Sequence, residues 1–192
     1  MAKQEFRLLT KEELADLYSQ HMERDFPSDE LKPLARLLDL MDRGLYEPYA
    51  LFREGKLTAY ALYWKTEKDS YVMLDYFAVV PEERNKGTGS ALLRDMLERF
   101  CQNGSGVFGE VEAPVSGDES TDALRRRRLG FYARAGLRRM NYTSRVFGVP
   151  FIIIAYGPEI SEEALMETNR QLYREVLSEE DYEKNVFIPG AV

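Results

Sequence analysis

Between Tyr71 and Phe100 the sequence passes from an apolar run through a proline turn and a glycine-rich loop into an amphipathic helix, an order few folds accommodate. Tyr71–Val80 carries apolar residues at odd and even positions alike, the mark of a strand covered on both faces. Pro81 ends it, and Glu82-Glu83-Arg84-Asn85-Lys86-Gly87-Thr88-Gly89-Ser90 follows. From Gly89 to Phe100, Leu92, Leu93, Met96, Leu97 and Phe100 recur at helical spacing. Two glycines at the mouth of a helix let the backbone approach a ligand closely. The first-turn N–H groups there stand unpaired at the positive end of the helix dipole. Such a loop holds phosphate, and Arg84 and Lys86 bring positive charge to the same place.

The rest of the chain is read by the same periodicities. Phe6–Leu9 is an opening strand. Thr10 and Glu13 form a capping box ahead of Leu14, Leu17, Tyr18 and Met22 on one helix face. A second helix is expected from Ser28, with Leu31, Leu34, Leu37, Leu38 and Met41 as its stripe and Gly44 as its end. Tyr46–Phe52 and Leu57–Trp64 read as strands joined by a tight Glu54-Gly55 turn. Gly106–Ala113 is a strand and Asp122–Ala135 a helix. Arg139–Phe147 and Phe151–Tyr156 form a hairpin around Gly148-Val149-Pro150, and an amphipathic helix from Ser161 carries Leu165, Leu172, Val176 and Leu177. The order is β-α-α-β-β-β-α-β-α-β-β-α: an α/β (α+β) chain with a mixed sheet flanked by helices. At 192 residues it is expected to be one domain over 1–192, with 157–192 as a C-terminal helical extension.

The loop is neither of two common phosphate loops. Its lysine precedes the glycine, so it is no Walker A sequence, and Leu92 stands where a dinucleotide fingerprint needs its third glycine. Arg84-x-x-Gly87-x-Gly89, after Ala78-Val79-Val80-Pro81, instead resembles the signature of the GNAT superfamily of N-acetyltransferases. Phe131-Tyr132-Ala133-Arg134-Ala135-Gly136-Leu137 is similar to the Phe-Tyr-x-x-x-Gly-Phe element of that family, with Leu137 in place of its last Phe. The resemblance covers roughly residues 5–156 and implies the family's fold. That fold is a central, mostly antiparallel sheet whose splayed strands hold acetyl-CoA.

It also implies roles. Phe77, Ala78, Val79, Arg84, Asn85, Lys86, Gly87, Thr88, Gly89 and Ser90 would bind acetyl-CoA, the loop gripping its pyrophosphate and a backbone N–H near Val79 polarising the thioester carbonyl. Tyr132 would protonate the departing sulfur. Glu110, in Gly109-Glu110-Val111-Glu112, would serve as the base facing the amine. Glu112 lies two residues on with the same strand parity, so both carboxylates project from one face. Tyr76, Glu112 and Phe26 are the candidate acceptor contacts, with Glu30 and Tyr46 near them. One departure is Arg125, which stands where many relatives place an asparagine seven residues before the tyrosine. The acidic, Gly/Ser-bearing segment Pro114–Thr121 is longer than in compact relatives and reads as a surface loop or a flap over the site.

Charge narrows the partners. Against 33 Asp+Glu stand 26 Lys+Arg, a net charge of −7 that disfavours nucleic acid and anionic lipid and favours a cationic amine. Residues 123–158 nevertheless contain no acid and hold arginines at 125, 126, 127, 128, 134, 138, 139 and 145, either a home for the nucleotide phosphates of CoA or a solvated helix face paired with carboxylates. One cysteine, Cys101, excludes an internal disulfide and a multi-cysteine metal site; His21 reads as a packing or surface residue and Cys101 as a packing residue. No metal is expected, no apolar run spans a membrane, and no signal peptide is read, so a cytoplasmic enzyme is expected. The apolar tail Val186-Phe187-Ile188-Pro189 would dock on this domain or on a second copy in a homodimer. The reading is an acetyl-CoA-dependent N-acetyltransferase acting on a primary amine, of a small molecule or a peptide, by direct transfer in a ternary complex. Its rivals are a catalytically silent acyl-CoA-binding sensor or assembly subunit, and an arginine-rich nucleic-acid binder.

Overall fold

The computed structural model describes residues 4–28, 30–66, 71–101, 106–157 and 161–189. The chain divides into two compact units, one of residues 1–65 with 75–92 and one of residues 66–74 with 93–192.

In the first unit, strand β1 (Gln4–Leu8) leads into helix α1 (Lys11–Leu17) through the expected box. The Thr10 side chain accepts from Glu13 N at 3.3 Å, and Glu13 Oε2 accepts from Thr10 N at 2.9 Å. A π-helical turn, Tyr18–Met22, continues the helix before the short α2 (Glu23–Asp25). Its i→i+5 bonding absorbs the extra residue between Leu17 and Met22, so both stay buried. The second helix is shorter than the stripe implies: α3 spans Leu34–Asp42. Pro33 keeps the residue before it out of helical geometry, so 30–32 run as a loop. The helix buries Leu37 and Leu40, leaving Leu34, Leu38 and Met41 at the margin. Strands β2 (Tyr46–Arg53) and β3 (Lys56–Lys65) pair antiparallel. Their turn has Glu54 at φ 52° and Gly55 at φ 76°, the left-handed pair of a tight hairpin. Residues 58–64 of β3 are buried on both faces, with Tyr60, Tyr63 and Trp64 fully so.

Strand β4 (Tyr71–Val79) and helix α4 (Thr88–Cys101) each contribute one end to either unit. In the second unit, Tyr71–Met73 pairs in parallel with Gly106–Phe108 of β5 (Gly106–Glu112). Helix α5 spans Glu119–Arg134, three residues longer at its start than expected, because Asp118 caps it and accepts from Thr121 N at 2.8 Å. Strands β6 (Arg138–Val146) and β7 (Val149–Tyr156) turn at Phe147-Gly148, both at positive φ, so Val149 and Pro150 belong to the strand. Ile152, Ile153 and Ile154 of β7 are buried between β5 and β6. The expected last helix is α6 (Glu162–Val176), capped by Ser161, and beyond it come α7 (Glu179–Asn185) and a two-residue strand β8 (Val186–Phe187). The tail therefore docks on its own chain: β8 adds antiparallel to β6, and Phe147 N donates to Asn185 O at 2.8 Å.

Among the described residues the strands hydrogen-bond in the order β1-β2-β3-β4-β5-β7-β6-β8, a mixed, mostly antiparallel eight-stranded sheet flanked by helices. Among the described residues no helix is long and apolar enough to cross a membrane.

Candidate active site

The glycine-rich loop of the first unit begins with a 3-10 turn at Pro81–Glu83, and residues 84–87 lead into α4. Asn85 (φ 61°) and Gly87 (φ 84°) take left-handed backbone. A Cβ built on Gly87 meets nothing within 4 Å, so the glycine is needed for its conformation and leaves the loop open on that side. The amides of Thr88, Gly89 and Ser90 form the first turn of a 14-residue helix, where N–H groups have no intrahelical acceptor. Arg84 and Lys86 stand beside them, half-exposed and already engaged. Arg84 Nε donates to Val79 O at 2.9 Å and its Nη2 lies 3.6 Å from Asp25 Oδ1. Lys86 Nζ donates to Glu83 at 3.2 Å, which also receives Arg53 at 3.0 Å and the Thr88 hydroxyl at 3.3 Å. The Lys86 hydrogen bond, with the charges of Lys86 and Arg53, lowers the Glu83 carboxyl below its usual range. Open space, helix amides and two cations form a donor set that fits a pyrophosphate. Phe77, Ala78 and Val79 are half-exposed at the end of β4.

Nearby in the same unit, Phe26 packs edge-on against Tyr76 at 5.0 Å and Tyr60 at 6.4 Å. The Tyr76 hydroxyl is committed to the 30–32 loop, donating to Glu30 O at 2.8 Å and accepting from Lys32 N at 2.9 Å. Sequence reasoning missed what surrounds it. Asp75 accepts from Lys32 Nζ and from the Tyr46 hydroxyl, both at 2.7 Å, and the Lys32 ammonium lies 4.8 Å from the Trp64 ring centroid. Asp25 accepts from the Tyr60 hydroxyl at 3.0 Å. These partners lie 29 to 43 residues apart in the chain and follow no spacing rule.

In the second unit, Tyr132 is held by the way α5 ends. Ala135 is the C-cap, Gly136 (φ 95°) follows, and two amides turn back: Gly136 N to Ala133 O at 3.0 Å and Leu137 N to Tyr132 O at 3.2 Å. This is a Schellman motif, whose paired bonds and buried Leu137 set the helix end and with it the Tyr132 backbone. Burial pushes the Tyr132 phenol up to about 12, with the Arg128 charge acting the other way. It is protonated at neutral pH.

The two glutamates of β5 share a face but not an environment. Glu112 is an ion-pair hub: Arg125 reaches its Oε1 and Arg128 its Oε2 at 3.0 Å, while Arg125 Nη1 also donates to Ala113 O at 3.0 Å. With Arg126 paired to Glu119, three arginines of the acid-free run meet carboxylates. The segment before α5 is tied to the helix at Ser116, whose N and Oγ donate to Asp122 Oδ1 at 2.9 and 2.8 Å. Glu110 instead receives neutral donors: Ser144 Oγ at 2.5 Å and Asn169 Nδ2 at 3.1 Å on Oε1, and the Tyr173 hydroxyl on Oε2. Asn169 and Tyr173 belong to the face of α6 that buries Leu165, Thr168, Asn169, Leu172 and Tyr173. Their signal is present in the sequence: Asn169 stands at i+4 from Leu165, an amide in the middle of an apolar stripe. His21 lies in the π turn, 3.3 Å from Arg24, and Cys101 is a free thiol whose pKa burial raises.

The fold is shared with solved structures. A GNAT-family protein of Bacteroides thetaiotaomicron matches with a TM-score of 0.70 at 22% identity, over 88% of this chain and 96% of that one. The ribosomal-protein-S18-alanine N-acetyltransferase of Escherichia coli matches with a TM-score of 0.60 at 19% identity, over 84% and 97%. A Bacillus subtilis acetyltransferase in complex with CoA matches with a TM-score of 0.56 at 16% identity, over 82% and 100%. Comparison of the sequence with curated proteins gives no match. A sequence model described as the Acetyltransferase (GNAT) family matches residues 11–136. That span contains the glycine-rich loop, Glu110, Tyr132 and the Schellman glycine, and the chain therefore belongs to the GNAT family of acetyltransferases, which use acetyl-CoA.

Proposed function

We propose that this chain is an N-acetyltransferase that moves the acetyl group of acetyl-CoA directly to a primary amine in a ternary complex. The observation that carries the reading is the loop at residues 84–90, where the amides at the start of α4 and two cations surround open space. Acetyl-CoA supplies the acyl group as an activated thioester. Arg84, Lys86 and the amides of Gly87–Ser90 bind its phosphates, displacing the contacts of Arg84 with Asp25 and of Lys86 with Glu83. Phe77–Val79 line the pantetheine side, and a Val79 amide directed at the thioester oxygen stabilises the charge that develops there.

Glu110 takes the proton that the amine loses as its nitrogen bonds to the acyl carbon. Tyr132 gives its phenolic proton to the sulfur as the carbon–sulfur bond breaks, so the protons balance across the two residues. The raised Tyr132 pKa supports a donor role, since the residue enters each turnover protonated. Glu112, its charge met by Arg125 and Arg128, holds the middle of α5 against β5.

Calorimetric titration with acetyl-CoA, followed by thiol release across a panel of primary amines and a peptide with an N-terminal alanine, tests this. Binding with turnover is the expected result. Binding without turnover on any acceptor would favour an acyl-CoA-binding subunit, and no binding would overturn the assignment of the loop.

A further inference from the structure

A carboxylate with an arginine on either oxygen and a carboxylate with none lie two residues apart on β5. Glu112 is fully countered; among the described residues no lysine, arginine or histidine pairs with Glu110. Charges withdrawn from water are ordinarily paired, and Glu110 is half-buried. Its neighbours also leave hydrogen-bonding capacity open. A carboxylate offers about four lone-pair sites, and Ser144, Asn169 and Tyr173 take three. Glu110 fixes the orientation of the Asn169 amide, because only the Nδ2 end can donate to it. The Oδ1 end is thereby left buried with no donor among the described residues.

Tyr142 completes the picture. Its hydroxyl is buried beside Asn169 and feels the Glu110 charge, yet no hydrogen bond of good geometry joins it to any described group. Burial first, and the Glu110 charge second, push this phenol well above its ordinary value. An unmade bond of this kind is costly, so the same protein carries two such costs next to one uncompensated negative charge.

We infer that Glu110, Asn169 Oδ1 and the Tyr142 hydroxyl form an ammonium subsite, with Tyr173 and Ser144 as the positioning residues that hold the carboxylate. The inference rests on the acetyltransferase reading and deepens it by naming the acceptor class: an aliphatic cation bearing at least two N–H donors. An ammonium brings three N–H groups and one positive charge; it gives one proton to solvent by way of Glu110 before its nitrogen attacks, and a second is the one Glu110 takes as the acyl bond forms. The open carboxylate lone pair, the amide oxygen and the phenol oxygen supply three acceptors and the countercharge. Asn169 and Tyr173 come from α6, beyond the residues that match the family model. The subsite therefore joins Glu110, inside the matched residues, to Tyr142 and the α6 residues that lie beyond them.

Tyr142→Phe separates this role from a structural one. Removing a buried hydroxyl that has no partner leaves the melting temperature equal or higher. Loss of one hydrogen bond to a charged group is expected to raise the amine KM about tenfold, with the acetyl-CoA Kd unchanged. Asn169→Leu is expected to shift the amine KM likewise, and Glu110→Gln to abolish amine binding. An amine KM unchanged in folded Tyr142→Phe overturns the subsite. Calorimetry of n-butylamine, 1,4-diaminobutane, spermidine and alanine amide against the full chain without acetyl-CoA keeps the two readings apart. Amine binding weakened by Tyr142→Phe supports the subsite even if acetyl-CoA fails to bind. Absence of binding by all four amines overturns it even if acetyl-CoA binds.

Discussion

At Tyr132 burial raises the phenol from its ordinary 10.0 to about 12, and the consequence for catalysis has a definite sign. A donor must be protonated to act, and a raised pKa keeps it so through the neutral and mildly alkaline range. The rate therefore loses nothing to Tyr132 ionisation as pH rises to 10.0, and kcat followed by thiol release shows no descending limb below that value. Tyr132→Phe is expected to lower kcat by about a hundredfold, the lower end of what a positioned acid contributes, with the acetyl-CoA Kd within about twofold. An unchanged kcat would remove Tyr132 from the chemistry. Tyr132 and Gly136 were legible in the sequence because a Schellman motif is a local device, closed within six residues. The partners of Glu110 were not, because Ser144, Asn169 and Tyr173 lie 34 to 63 residues away and meet it only when α6 covers the sheet face.

Among the elements, the loop before α4 and the cap of α6 each make a prediction. Gly87 has a left-handed φ of 84° with free space around it, so a side chain there meets strain rather than a clash. Gly87→Val is expected to cost about 1–2 kcal/mol of backbone strain and to weaken acetyl-CoA binding by more than the stability loss explains, as calorimetry on the folded variant would show. Retained affinity would move the phosphates elsewhere. Ser161 caps α6 by accepting from Ala164 N at 3.3 Å. Ser161→Ala is expected to cost about 1 kcal/mol, lowering the melting temperature by about 2–4 °C in a thermal scan. Most elements were visible as periodicities, and their boundaries moved where one residue overrode the pattern. Pro33 delayed α3 by the clash of its ring with the residue before it, and Asp118 advanced α5 by supplying a cap to Thr121 N.

Over the whole molecule, burial raises the phenols of seven described tyrosines: Tyr18, Tyr46, Tyr60, Tyr76, Tyr132, Tyr142 and Tyr182. An unfolded tyrosine ionises near 10.0, whereas these stay neutral in the folded chain to higher pH. Their contribution to stability is fully present below 10.0 and is lost as pH rises through the folded values. The urea midpoint is therefore expected to fall steadily above 10.0, and tyrosinate absorbance to appear together with loss of helical circular dichroism. Ionisation of these residues with the helical signal intact would show that they are not buried.

The sequence by itself determined the order of strands and helices, the glycine-rich loop, the locked helix end at Tyr132 and the family to which they belong. Each is written in contacts of a few residues, where backbone geometry, caps and side-chain period leave one outcome. Tertiary structure alone decided which charges are countered. Arg125 and Arg128 close on Glu112, Lys32 on Asp75, and Glu110 is left to neutral donors from β6 and α6. An ion pair or an orphaned amide depends on which distant elements pack together, and side-chain charge carries no record of its partner along the chain.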